Sequence, residues 1–112
     1  MSLMPKDVSP SQLTLPEYQK MMRRLVVERG FEEETVPEVF TLLVEEVGEL
    51  AKAIRKSNGQ KIDTAKKQHE VSEELADVFW LLIDISNRLN IDLEKAFRDK
   101  EEENKTRKWS HG

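Results

Sequence analysis

Cysteine is missing from this chain of 112 residues. Its absence excludes a disulfide framework and any thiolate metal site. Histidine is scarce, with only His69 and His111. No stretch of about 18 consecutive apolar residues occurs, so no membrane span is expected. The N-terminus lacks the charged-then-apolar pattern of a secretory signal, and a soluble cytoplasmic protein is the expectation. Basic residues form no block outside the C-terminal end, and the net charge is −4. Duplex nucleic acid is therefore disfavoured as a partner, since phosphate binding needs a basic footprint. What is present is 38% apolar and 36% charged residues, too apolar a mixture for a disordered chain. The length suits one domain with one core.

Residues 1–13 hold Pro5 and Pro10 without any period and read as an irregular arm. The folded domain is expected over 14–109, with 110–112 as a short tail. Thr14-Leu15-Pro16-Glu17 is a capping box, and Pro16 fits a first helical turn. A first helix should run from about Leu15 to Arg29 and stop at Gly30. Thr35-Val36-Pro37-Glu38 repeats the device and starts a second helix, ending near Ser57-Asn58-Gly59. After a polar connection at 58–66, a third helix should run from about Thr64–Gln68 to Leu89. Asn90-Ile91-Asp92 breaks it, and Asp92 can cap a fourth helix from Leu93 to about Lys108. Val78 to Ile83 alone could be a buried strand, but its flanks favour helix. The fold class is all-α, a four-helix bundle-like domain.

Two acidic groups sit inside this frame: Glu45-Glu46-Val47-Gly48-Glu49 on the second helix and Glu74-Leu75-Ala76-Asp77 on the third. Residues three or four apart share a helical face. The expected core stripes are Val39, Leu43, Val47, Leu50 and Ile54 on the second helix, and Val71, Leu75, Val78, Leu82, Ile85 and Leu89 on the third. Both helices then carry acids at one margin of the stripe. Facing one another, the two groups would make an all-oxygen site for a hard divalent cation, which suits phosphate chemistry. The third helix has a second apolar side of Ala76, Phe79, Trp80 and Ile83. A helix apolar nearly all round is usually buried on all sides, so association through the Trp80 side, most simply as a symmetric dimer, is expected.

A plainer reading makes the acids a solvated face. Against it, few basic partners stand at helical spacing: only Lys52, three residues beyond Glu49, could pair. The positions four beyond Glu46, Glu74 and Asp77 are Leu50, Val78 and Leu81. Uncompensated like charges on one face destabilise a helix, and a bound cation would reverse that sign. A di-iron or di-manganese carboxylate bundle wants Glu-x-x-His pairs. Lys66 and Lys108 stand three residues before the two histidines, so that reading is poorly supported.

The paired motif, within Leu42-Leu43-Val44-Glu45-Glu46-Val47-Gly48-Glu49-Leu50 and Glu73-Glu74-Leu75-Ala76-Asp77-Val78, resembles the MazG-like nucleoside triphosphate pyrophosphohydrolases. These belong to an all-α superfamily that also holds dimeric dUTPases and phosphoribosyl-ATP pyrophosphohydrolases. The resemblance covers about Leu15 to Trp109. It implies a Mg²⁺-dependent enzyme, with Mn²⁺ as a substitute, that converts a nucleoside triphosphate, often a deoxynucleotide, to the monophosphate and pyrophosphate. It implies a homodimer or tetramer and a role in clearing damaged or surplus nucleotides. Glu45, Glu46, Glu49, Glu74 and Asp77 match the family's metal-binding acids. Lys100 and Asn104, followed by Arg107 and Trp109, resemble its basic C-terminal segment and are the expected substrate contacts. The rival expectations are a dUTP- or phosphoribosyl-ATP-specific relative, and a helical interaction module without turnover.

Overall fold

The computed structural model describes residues 13–59 and 64–107. The arm at 1–12, residues 60–63 of the polar connection and residues 108–112, Trp109 among them, lie outside the described residues. Four helices follow in order, and no strand occurs among the described residues. They are α1 (Leu15–Glu28), α2 (Val36–Gly59), α3 (Thr64–Arg88) and α4 (Leu93–Asn104).

Local chemistry sets their ends. At α1, the Glu17 amide donates to Thr14 Oγ1 and the Thr14 amide donates to Glu17 Oε1 at 3.0 Å. Thr35 and Glu38 repeat this exchange before α2, and the Lys95 amide donates to the Asp92 carboxylate at the start of α4. Two helices end in the same way. Gly30, at φ 76°, and Asn90, at φ 55°, take the left-handed conformation. Past α1, the Gly30 and Phe31 amides donate back to Val27 and Val26; past α3, the Asn90 and Ile91 amides donate back to Asn87 and Ser86. That double bond pattern closes both helices, and glycine and asparagine are the residues that reach its φ at least cost.

The long helices α2 and α3 form an antiparallel pair. Val39 and Leu43, early on α2, meet Leu81 and Ile85 late on α3. Lys52 and Lys56 share a hollow with Glu70 and Glu73 at the opposite end. On the other flank of α3, Met22 and Val26 of α1 pack against Ile83, with Tyr18 beside them. Helix α4 rests on α1.

This arrangement corrects the expected phase of α3. Trp80 joins both core clusters, and Ile83 is only 1% exposed. Trp80 and Ile83 of that second apolar side thus pack inside the chain, while Phe79 stays exposed. Instead Leu75, Leu82 and Leu89 of the expected stripe are exposed. On α2, Val39 and Leu43 are buried as expected, while Val47 and Ile54 are exposed. A helix apolar on every side has no unique inward phase, and α1 decides the matter by covering Trp80 and Ile83.

Two polar networks lock the helix ends. Buried Gln19 donates to Asn87 Oδ1 and to the Ile91 carbonyl, both at 2.9 Å, and accepts from the Leu93 amide. Its own carbonyl takes a hydrogen bond from Asn87. Arg88 pairs with Asp84, which is 2% exposed, at 2.9 Å. The same guanidinium donates to the carbonyls of Phe31 and Glu34, so it holds the α1–α2 turn against α3.

Candidate active site

The two acidic groups meet where α2 crosses α3. Glu46, at the edge of the Val39–Leu43 stripe, faces Glu74 and Asp77, which are one turn apart on α3. One carboxylate oxygen from each of the three lies within 4.8 Å of the others. Glu46 and Glu74 are half-buried and Asp77 is exposed. Oε2 of Glu74 is buried without a hydrogen-bond partner. A hydrogen bond with Glu46, then partial burial and the charges of Glu46, Asp77 and Glu49, push the Glu74 carboxyl up to about 6. No lysine or arginine among the described residues forms an ion pair with any of the five expected acids. Three converging carboxylates with an orphaned oxygen and no cationic partner fit a hard divalent cation, which prefers oxygen ligands. His69 takes no part, being paired with Glu73 at 2.6 Å.

The other expected site residues are placed differently. Glu49 is exposed on the rim of the trio and lines a hollow of about 150 Å³ with Glu74, Lys52 and Lys56. Lys52 makes no ion pair with Glu49. Glu45 is exposed and stands outside the trio. On α4, Lys100 pairs with Glu103 at 3.4 Å and Asn104 donates to Glu101 at 3.1 Å; Arg107 follows, exposed. None of these three lines the cavities beside the acids. Trp109 lies outside the described residues.

A second cavity, of about 300 Å³, adjoins the trio on its other flank. It is lined by Arg29, Leu42, Glu46, Asp77, Trp80 and Leu81. Arg29 was not legible as a site residue. Its only sequence signal is its position before Gly30, where α1 stops and the chain turns toward α2.

The model of the MazG nucleotide pyrophosphohydrolase domain matches residues 34–109. The chain belongs to the MazG family. Comparison with curated proteins gives no match. The MazG span takes in α2, α3, α4 and all five acids, while α1 and Arg29 precede it. Membership makes this a nucleotide pyrophosphohydrolase domain of an all-α family that uses divalent metals. No helix among the described residues is long and apolar enough to cross a membrane.

The crowding of acids in this MazG domain has a measurable sign. Glu74 titrates near 6 in the folded chain against an ordinary 4.5. The folded state therefore holds the proton more tightly, and the stabilising effect, full below about 4.5, is lost as pH rises through about 6. The melting temperature of the metal-free protein, minus that of Glu74→Gln, should fall across this window and then level off. A difference that is flat from acid to neutral pH would remove the coupling between Glu46 and Glu74.

Proposed function

We propose that this domain hydrolyses nucleoside triphosphates, deoxynucleotides in particular, to the monophosphate and pyrophosphate, and that it serves to clear unwanted nucleotides from the pool. The observation that carries the reading is the meeting of Glu46, Glu74 and Asp77, an oxygen-only donor set without a cation of its own. These three would hold Mg²⁺, or Mn²⁺ in its place, which when bound supplies charge neutralisation at the phosphates and polarisation of a water. Glu49, on the rim, is free of the trio and stands ready to take a proton from the attacking water. Attack at the α-phosphorus expels pyrophosphate.

Chromatography of the products from a nucleotide panel tests this. Monophosphate with pyrophosphate is expected. Diphosphate with phosphate would overturn the mechanism, and no product from any nucleotide with Mg²⁺ would favour an interaction module. Millimolar Mg²⁺ should also raise the melting temperature, because a ligand bound only by the folded state stabilises it. The paired change Glu46→Gln and Asp77→Asn should remove that rise.

The reading includes a homo-oligomer. Among the described residues, large apolar side chains are more often exposed than buried. Phe40, Val44, Val47 and Ile54 on α2 and Leu75, Phe79, Leu82 and Leu89 on α3 are all exposed. Both sets follow the same helical spacing, and at about 100° per residue they fall on one side of the antiparallel pair, opposite the acids. Such a patch marks an interface. Lys100, Asn104 and Arg107 would then reach substrate from the α4 of a neighbouring copy. Leu82→Glu should reduce the mass seen by light scattering. An unchanged oligomer would discard this face as the interface.

A further inference from the structure

The trio of acids lies between two hollows of unlike size and lining, and their difference carries an orientation for the substrate. One flank is polar. Lys52 and Lys56 border a hollow of about 150 Å³ together with Ala53 and the acids Glu49, Glu70, Glu73 and Glu74. The other flank is a cavity of about 300 Å³ whose wall includes Leu42, Trp80 and Leu81. That volume matches the lower end of small-molecule sites, about 300–1,000 Å³, and suits a base with its sugar. The polar hollow is half as large and offers no aromatic surface.

Arg29 completes the larger cavity, whose apolar wall is Leu42, Trp80 and Leu81. It is the C-cap residue of α1 and shares the cavity with Glu46 and Asp77. Even so, its side chain forms no hydrogen bond or ion pair among the described residues. A guanidinium is a donor only. Over an apolar wall it can meet a carbonyl oxygen of a base, which adenine lacks.

We propose that the nucleoside end of the substrate sits in the Arg29 cavity, against Leu42, Trp80 and Leu81, and that the leaving pyrophosphate lies along Lys52 and Lys56. Arg29 is then a specificity residue that favours bases bearing a carbonyl oxygen. It comes from α1, ahead of the span the MazG family model matches. The inference rests on the nucleotide reading above, but its test does not need turnover.

Calorimetric titration of the full chain with Mg²⁺ present would use three probes: the non-hydrolysable α,β-imido analogues of dUTP and dATP, and inorganic tripolyphosphate. The parent protein should bind the dUTP analogue about tenfold more tightly than the dATP analogue, the scale of one charge-assisted hydrogen bond. Arg29→Ala should erase that ratio and leave tripolyphosphate binding unchanged. Lys52→Ala with Lys56→Ala should weaken tripolyphosphate and both analogues by a common factor of about ten, with the base ratio kept. If Arg29→Ala weakens tripolyphosphate as much as the nucleotides, or the base ratio survives it, the orientation is overturned. Failure of every nucleotide to bind overturns it as well. The expected binding pattern without pyrophosphate release would sink the catalytic reading alone, and pyrophosphate release with the wrong pattern would sink the orientation alone.

Discussion

Asp77→Asn should lower kcat at least about a hundredfold, beyond the loss typical of removing a group that merely orients a metal ligand. The fold should survive. Asp77 is exposed, so no core packing depends on it, and the amide removes one of the charges that crowd Glu74. The metal-free protein should therefore melt no lower than the parent, while the Mg²⁺-induced rise disappears. Glu45→Gln, measured beside it, ranks the acids. Glu45 is exposed and outside the trio, so its loss should cost less. Full activity in Asp77→Asn, with the Mg²⁺ response intact, would remove Asp77 from the site.

Arg88→Ala should cost about 3–5 kcal/mol, the scale for breaking a buried ion pair from one side. Asp84 would be left buried with an unmatched charge, and the Phe31 and Glu34 carbonyls would lose their donor. For a domain of this size the melting temperature should drop by more than about 10 °C. The double change Asp84→Ala with Arg88→Ala should recover part of the loss, since no charge is then stranded. The effect reaches the site because Arg88 anchors the turn that carries the chain from Arg29 into α2. A Tm within a degree or two of the parent would show that the turn holds itself.

The helix ends were legible because they rest on local bonds. Thr14 with Glu17, Thr35 with Glu38, Gly30, Asn90 and Asp92 all act within a few residues of themselves. The expected α1 to Arg29 and α4 to about Lys108 compare with observed ends at Glu28 and Asn104. Helix ends fray by a turn when only solvated side chains define them. The meeting of the acids was also legible, since each group keeps its own spacing. Which acids meet was not. Glu46 and Glu49 stand on the same turn, yet only Glu46 joins Glu74 and Asp77, because the crossing of α2 over α3 turns one of them inward.

The amino-acid order alone determined four helices, their caps and a paired acidic motif, because these depend on periods and contacts spanning a few residues. Tertiary structure decided the rest. It put Trp80 inside and left Leu75, Leu82 and Leu89 outside, since an all-round apolar helix is oriented only by the neighbours that cover it. It also brought Arg29 beside Glu46 and Asp77, a juxtaposition made by helix packing that no spacing along the chain encodes.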